Sequence, residues 1–245
     1  MGSPIESITS SKKKCEGCGQ EKPIYYNVFL RQDLCIDCDK KMTVELRKNE
    51  PERFLKYLGI PKEYLQCSFE NFQGNDILVK GFQRYCSKVQ SLLLIGICGC
   101  GKTHIVVAVM RELVKQNVSI SRMEFKPARK LLQEIKASYD NKIISESEVS
   151  ILQRYGSKPL LILDDFGFDE TPSDWQVNIL YSLLDERINQ SVKTIITTNL
   201  SLEEIEDKFG SRIASRLSGF INLKIKNMPD YRKQKIKQFV EIESN

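Results

Sequence analysis

Long apolar runs are missing from this chain of 245 residues. No stretch approaches the roughly 18 consecutive apolar residues that cross a bilayer, and the N-terminus has no hydrophobic core of a secretory signal. Internal repeats and low-complexity tracts are also missing from the sequence. Hydrophobic residues make up 41% of the chain and charged residues 28%, which suffices for one good core with a small appendage. We therefore expect a soluble, cytoplasmic protein with no membrane partner.

Acidic residues are scarce near the C-terminal end. The net charge is only +5, but between Ser211 and Val240 a single acid, Asp230, faces eight basic residues. These are Arg212, Arg216, Lys224, Lys226, Arg232, Lys233, Lys235 and Lys237. Such a segment suits a polyanionic partner or forms a solvated helix face, and charge alone does not choose between the two.

A glycine-rich motif, GICGCGKT at residues 96–103, follows the apolar run SLLLI at 91–95. The two segments predict a strand, a tight turn and a helix start, which together form a phosphate-binding P-loop. In such a loop backbone N–H groups surround polyphosphate oxygens, the lysine reaches the β- and γ-phosphates, and the threonine hydroxyl binds Mg²⁺. We therefore expect ATP and Mg²⁺ as ligands of Gly96, Gly99, Gly101, Lys102 and Thr103.

A second motif, LLILDD at residues 160–165, is an apolar run that ends in two acids. About 60 residues after a P-loop, it predicts a Walker B strand. Asp164 would hold Mg²⁺ through its water shell, and Asp165 would orient or deprotonate the attacking water. The alternative is a strand capped by two solvated acids.

Two weaker signals follow. Asn199 ends the next predicted strand, where its amide would polarise the water or contact the γ-phosphate, although such residues also cap helices. Arg212 and Arg216 are four residues apart and share one helix face. They would neutralise the γ-phosphate bound by a neighbouring subunit, or they are ordinary surface arginines.

Four of the eight cysteines form two Cys-x-x-Cys pairs, with sixteen residues (19–34) between them. The ligands Cys15, Cys18, Cys35 and Cys38 predict a structural Zn²⁺ site within a zinc ribbon over residues 10–41. Disulfides are the alternative, but an ATP-binding cytosolic protein lies in a reducing compartment. Four thiolates leave no open coordination position, so we expect the ribbon to serve interaction rather than catalysis.

Helical and strand patterns alternate from about Asn75, which predicts an α/β fold with a parallel sheet. The predicted strands are Leu92 to Ile95, Ser119 to Phe125, Leu160 to Asp164, Thr194 to Asn199 and Ile221 to Ile225. We divide the chain into a zinc ribbon with an N-terminal tail (1–41), a linker helix and hinge (42–74) and an ATPase domain (75–245).

Four ordered motifs resemble the AAA+ domains of DnaC/DnaI-type replicative helicase loaders and of the related IstB transposition ATPases. They are the P-loop with His104, the step Asp164-Asp165-x-Gly167, Thr198-Asn199-Leu200, and Ser211-Arg212-x-x-Ser215-Arg216-Leu217. The resemblance runs from about Gly59 to Arg232 and includes Phe69-Glu70-Asn71-Phe72 and Asp230-Tyr231-Arg232. It implies that His104 serves packing or capping rather than catalysis.

The resemblance also implies an AAA+ P-loop NTPase domain with a five-stranded parallel sheet and no helical lid. Only 28 residues, 218–245, follow Leu217, which agrees with the missing lid. Arg216 would be the arginine finger and Arg212 its companion, so that self-association completes the ATP site. Asp165 stands where many AAA+ proteins carry glutamate, and we expect slow, switch-like hydrolysis.

The same resemblance implies two partners. A DnaB-type helicase would bind the N-terminal domain, and single-stranded DNA would contact the region after the second strand. The candidate DNA-binding residues are Arg122, Lys126, Arg129 and Lys130, although a solvated helix face explains them nearly as well. The function that this resemblance implies is ATP-dependent loading of a hexameric replicative helicase onto single-stranded DNA. Two alternatives remain open. One is an IstB-like regulator of DNA transposition, whose N-terminal domain is typically helical, and the other is an inactive interaction protein that only binds nucleotide.

Overall fold

A computed structural model describes residues 5–6, 12–74, 76–140, 146–167, 171–226 and 228–231. Its N-terminal module consists of short antiparallel strands. They are β1 (Ile5–Glu6), β2 (Lys12–Lys14), β3 (Glu21–Pro23), β4 (Tyr25–Asn27) and β5 (Gln32–Leu34). Strand β2 pairs with β3, while β4 pairs with both β1 and β5. A separate small core of Cys15, Ile24, Leu34 and Cys35 fills this module.

Two helices connect the module to the rest of the chain. They are α1 (Ile36–Asn49) and α2 (Pro51–Tyr57), followed by a 3₁₀ turn at Lys62–Tyr64. Proline at the first position of α2 starts a helix without losing a hydrogen bond, because that N–H has no partner in a helix. The buried side chains of this segment belong to the same cluster as the sheet described next: Leu46, Phe54, Leu55, Leu58 and Ile60.

The larger part of the chain is an α/β domain. Its helices are α3 (Asp76–Ser87), α4 (Lys102–Lys115), α5 (Ala128–Asp140), α6 (Glu148–Gly156), α7 (Asp174–Asn189), α8 (Leu202–Phe209) and α9 (Ser211–Ser218). Its strands are β6 (Leu92–Ile95), β7 (Met123–Pro127), β8 (Leu160–Asp164), β9 (Lys193–Thr198) and β10 (Ile221–Lys224). All pairings are parallel, in the order β10-β6-β9-β8-β7. The predicted α/β fold with a five-stranded parallel sheet is confirmed.

The central strands are buried on both faces, as a parallel sheet between two helical layers requires. Alternate residues of β6 enter different clusters: Leu92 and Leu94 pack with α1 to α4, whereas Leu93 and Ile95 pack with α5 to α9. The sheet thus places the carboxyl ends of β6, β8 and β9 side by side at one edge. The P-loop, the acid pair and Asn199 follow these three ends.

One predicted strand began four residues too early. Residues 120–122 form a 3₁₀ turn, in which the Arg122 N–H donates to the Ser119 carbonyl (3.0 Å), and β7 starts only at Met123. The strand then continues through Pro127. Proline is tolerated there because β7 is an edge strand whose outer side needs no ladder hydrogen bond. The ends of β9 and β10 differ from prediction by one residue each.

None of the helices in the described residues is long and apolar enough to cross a membrane. The predicted domain boundaries at 41 and 74 remain predictions. The basic residues Arg232, Lys233, Lys235 and Lys237 lie outside the described residues.

Candidate functional site

The P-loop connects β6 to α4 and is held against the neighbouring strand. Its Gly96 N–H donates to the Thr198 carbonyl at 3.1 Å. Gly99 and Gly101 have φ values of 75° and 91°, a region that favours glycine over residues with a Cβ. A Cβ on Gly101 would also lie 2.7 Å from the Phe72 ring. The glycine pattern is therefore required by backbone shape and by close packing.

Two side chains at the start of α4 reach the positions expected of a nucleotide site. The Lys102 ammonium donates to the Gly96 carbonyl at 2.7 Å and to the Ile97 carbonyl at 2.9 Å, so it lies across the loop. The Thr103 hydroxyl lies 3.2 Å from both carboxylate oxygens of Asp164. Hydroxyl and carboxylate oxygens are the hard donors that Mg²⁺ prefers, so this pair fits the expected ion.

The acid pair at the end of β8 is divided between two environments. Asp164 is buried, whereas Asp165 is exposed to the cavity. Burial raises the pKa of the Asp164 carboxyl above its ordinary value, and hydrogen bonds from the hydroxyls of Thr197 and Thr103 offset part of this rise. A nearby cation favours the ionised form of such a carboxyl, which is the form that binds a metal.

A cavity of about 950 Å³ joins these groups. Lys102, Thr103, Asp164, Asp165 and Asn199 line it. Segments distant from these residues in sequence line it as well: Tyr64, Gln66, Asn71, Phe72, Gln73 and Tyr231. The structure thus brings the predicted nucleotide-binding residues, except Gly96, to one cavity large enough for a small ligand.

The wall over the P-loop is fixed by side chains of α4. His104 Nε2 lies 2.9 Å from the Ser68 carbonyl, and its ring packs edge-on against Phe72 at 5.2 Å. The Arg111 guanidinium donates to the Cys67 carbonyl at 2.9 Å. The packing role predicted for His104 is confirmed.

The chain near the C-terminal end contacts the same loop. The Tyr231 N–H donates to the Gly99 carbonyl at 3.2 Å, and its hydroxyl donates to the Gln73 carbonyl. A Cβ on Gly99 would overlap the Asp230 carboxylate. Residues 230 and 231 therefore close the cavity between the P-loop and residues 72–74. The sequence marked these residues only through the family resemblance.

Two further basic side chains line the cavity, although the sequence did not predict either of them there. Arg129, predicted to bind DNA, lies at the start of α5, directly after β7, and Lys208 lies on α8. The position of Arg129 could have been predicted from the sequence, because it follows β7, a parallel strand that ends beside β8. Lys208 had no signal in the sequence, because only the packing of α8 brings it near Asn199.

Arg212 and Arg216 do not line this cavity. They lie beside Tyr181 on α7, with guanidinium carbons 3.8 and 4.0 Å from its ring centroid. Arg216 Nε donates to the Asp185 carboxylate at 3.0 Å, and another N–H donates to the Tyr181 hydroxyl. Their face is thus separate from the ATP cavity of the same chain.

The four predicted DNA-binding residues do not share one environment. Arg122 and Lys130 are exposed, and Arg129 borders the cavity. Lys126 instead forms an ion pair with Glu134 and lies 5.6 Å from the centre of the Tyr155 ring, with its side chain only 23% exposed. Because its charge is already paired within the fold, we drop Lys126 from the candidate DNA surface.

The four cysteines predicted to bind zinc come together in the N-terminal module. Their sulfurs all lie within 4.8 Å of one another, and Cys18 and Cys35 are 4.0 Å apart. Tetrahedral zinc with Zn–S bonds of about 2.3 Å places sulfurs about 3.8 Å apart, so the cluster fits the ion. A Cβ on Gly17 would lie 2.9 Å from the Cys38 Cβ, which explains the glycine in the first turn.

The four-cysteine cluster yields a direct prediction. The purified chain should contain about one Zn²⁺ per monomer, and Cys38→Ser should lose it, because three thiolates and a hydroxyl bind the ion more weakly. Loss of the metal should unfold residues 12–34, since their own core is only a few side chains. Metal analysis and circular dichroism measure both effects. Cys98→Ser, at an exposed cysteine outside the cluster, should keep the zinc. A folded but zinc-free module would contradict the assignment.

The parallel sheet, the P-loop after β6 and the acid pair at the end of β8 define a P-loop NTPase fold. The profile of a family described as IstB-like ATP binding protein matches residues 79–217 of the sequence. This chain belongs to that family.

Similar proteins carry names from DNA replication. The replicative helicase loader DnaC of Buchnera aphidicola is 26% identical over 183 residues, which cover 70% of this chain and 72% of that protein. A crystal structure of the DnaC helicase loader gives a TM-score of 0.58 at 23% identity and covers 68% of this chain and 100% of that one. A crystal structure of DnaI gives 0.57 at 22% identity, with coverage of 70% and 94%. At these identities the structures establish the shared fold.

Proposed function

We propose that this chain is a cytoplasmic AAA+ ATPase that loads a hexameric, DnaB-type replicative helicase onto single-stranded DNA. The observation that carries the ATPase part is the contact of Thr103 with Asp164, with Lys102, Asp165 and Asn199 in the same cavity. The loader part is supported by the similarity to proteins named as replicative helicase loaders.

The roles of the site residues follow from their positions. The P-loop amides and Lys102 would hold the phosphates, while Thr103 and Asp164 would hold Mg²⁺, which neutralises phosphate charge when bound. Asp165, exposed to the cavity, would accept a proton from the attacking water. Asn199 lies on the next strand end and would orient the same water. Aspartate is shorter than glutamate by one methylene, so we expect slow, switch-like turnover.

Self-association would complete the site. Arg212 and Arg216 do not line their own cavity but lie beside Tyr181 of α7, where Arg212 is exposed and the side chain of Arg216 is 24% exposed. On assembly Arg216 would exchange its bonds to Asp185 and Tyr181 for the γ-phosphate bound by a second copy of the chain, with Arg212 beside it. A guanidinium stabilises the charge of the transition state in phosphoryl transfer, so an assembled subunit would hydrolyse ATP faster than a free one.

The N-terminal module, with its four cysteines, would bind the helicase. Of its apolar side chains, Leu34 is buried in the small core, and Phe29 stacks on Phe54 of α2 at 4.4 Å. Tyr26 and Ile36 remain exposed, at 41% and 55%. Exposed aromatic and aliphatic side chains on a rigid metal-bound module suit a protein partner.

Single-stranded DNA would lie along the exposed face of α5. Arg129, Lys130 and Lys136 are exposed there and would contact phosphates. At the other end of the helix Tyr139 is 54% exposed, and the Trp175 indole N–H donates to its hydroxyl at 3.0 Å. An exposed ring held in place beside basic residues suits stacking of an unpaired base.

The loader function is tested with the full chain. Immobilised protein should retain the hexameric helicase of its host, and the pair with ATP should transfer that helicase to circular single-stranded DNA.

Tyr139→Ala should weaken single-stranded DNA binding about tenfold, because base stacking on an aromatic ring is lost. Tyr139→Phe loses the hydrogen bond from Trp175 but keeps the ring, which still packs edge-on against Trp175, and should retain most of the binding. Fluorescence anisotropy with a labelled oligonucleotide measures both variants.

A different result would favour the alternative function. Retention of a transposase and duplex DNA, without the helicase, would identify an IstB-like regulator of transposition. Nucleotide binding without phosphate release in any assembly would identify an inactive interaction protein.

A further inference from the structure

Thr197 occupies a position between the two acids of the candidate ATP site. It is 1% exposed and lies on β9, two residues before Asn199. Its hydroxyl donates to Asp164 Oδ1 at 2.7 Å and accepts the Asp165 N–H at 2.9 Å. One buried hydroxyl is therefore bonded to both members of the acid pair.

The same residue fixes the backbone after β8. Asp165 has a φ of 56°, in the left-handed region that a residue with a Cβ adopts rarely. The Asp165 N–H bonds to the Thr197 hydroxyl, and the next N–H, of Phe166, donates to the Thr197 carbonyl at 2.7 Å. Thr197 thus receives two successive amides of the turn that aims Asp165 into the cavity.

Removal of the hydroxyl would disturb both acids together. Valine has the shape of threonine without the hydroxyl, so it would leave the Asp165 N–H without this acceptor. Within the part of the chain that the structure describes, the Asp164 carboxylate would then keep the longer side-chain hydrogen bonds from Thr103, at 3.2 Å. Both carboxylates would then be free to turn away from the positions that they hold in the structure.

We propose that Thr197 is a positioning residue of the ATP site, whose hydroxyl aligns the carboxylate that holds Mg²⁺ with the carboxylate that activates water. This inference rests on the proposed ATPase function. Thr197 also ties the acid pair to the strand that ends in Asn199, so that the groups on two strand ends keep a constant spacing.

Thr197→Val and Thr197→Ser test the inference in the full chain. The valine variant should lower kcat about tenfold or more, because small displacements of catalytic groups are costly, with KM changed by less than about twofold. In EDTA its affinity for a fluorescent ATP analogue should equal that of the wild type. The gain in affinity on addition of Mg²⁺ should be reduced. Serine retains the hydroxyl and should restore most of both properties.

Thr194→Val is the matched control. Thr194 is buried at the opposite end of the same strand, and its hydroxyl accepts from Arg187 at 2.8 Å, far from the cavity. This variant measures the general effect of a buried Thr→Val change in β9 and should turn over ATP as the wild type does.

Each outcome has a defined meaning. Wild-type kcat and a wild-type Mg²⁺ effect in Thr197→Val would overturn the inference, as would equal losses in the serine and valine variants. If the wild-type chain hydrolyses no ATP, the proposed ATPase function fails, but the Mg²⁺ effect on nucleotide binding still tests Thr197.

Discussion

Asp165→Asn should bind ATP with nearly wild-type affinity and lose hydrolysis by about 10²- to 10⁴-fold, the usual contribution of a general base. Asparagine keeps the size and the backbone of aspartate but accepts no proton at neutral pH. The exposed carboxylate faces the cavity, and asparagine has nearly its shape. Phosphate release and titration with a fluorescent ATP analogue measure the two properties separately.

Lys102→Ala is the counterpart of this variant. It should weaken ATP binding about 10- to 100-fold, because it removes a charge-assisted hydrogen bond to the phosphates. At saturating ATP, the hydrolysis rate of this variant then measures the catalytic activity of the site without the lysine. If Asp165→Asn turned over ATP at the wild-type rate, Asp165 would have no part in the chemistry.

Arg216→Ala should bind ATP normally yet hydrolyse it about 10³-fold more slowly, the effect expected for a missing arginine finger. The reason is geometric: Arg216 does not line its own cavity, so its loss should leave nucleotide binding in the same chain intact. In the structure its guanidinium is bonded to Asp185 and Tyr181, which hold it at the surface. Arg84→Ala, at an exposed arginine on α3, controls for the loss of surface charge.

A mixture of two variants separates action within a subunit from action between subunits. Arg216→Ala retains the P-loop and Lys102→Ala retains the arginine, so an interface that pairs them correctly should recover part of the activity. Turnover is measured for each variant alone and for the mixture, with and without single-stranded DNA. Wild-type turnover by Arg216→Ala alone would exclude the residue, and Arg212 would become the next candidate.

The contiguous motifs were predictable because their chemistry depends on residues close in sequence. The P-loop needs a strand, glycines with positive φ and a helix start, all within twelve residues. The six residues LLILDD likewise contain both the apolar run of a buried strand and the two acids that follow it. The order of a parallel sheet then brings the ends of β6, β8 and β9 to one edge. The fold class and its five strands followed from the same alternation of patterns.

Long-range side-chain pairs were not predictable. Lys126 looked like a free cation, but tertiary packing pairs it with Glu134. Arg187, on α7, is 1% exposed and donates to carbonyls at the end of α6 and at the start of β9. The hydrogen bond between Arg216 and Asp185 joins α9 to α7, and the two residues are 31 positions apart in the sequence. Such contacts depend on how helices pack, and no local pattern in the sequence reports that.

The position of Phe54 and Leu55 has a consequence for how the chain can be divided. Both side chains are fully buried, and they pack with residues of α4, the helix that starts at the P-loop. Each such side chain stabilises the fold by about 1.5–3 kcal/mol through burial. A fragment that begins at residue 75 would therefore expose the outer face of α4 to solvent. A fragment that ends at residue 60 would in turn expose the side chains of Phe54 and Leu55 to solvent. Its binding to other proteins could then be non-specific hydrophobic association rather than specific recognition of a partner. A cut before α1 is no better, because it separates Cys38 from the other three cysteines of the cluster. The two parts of the chain are therefore best studied together.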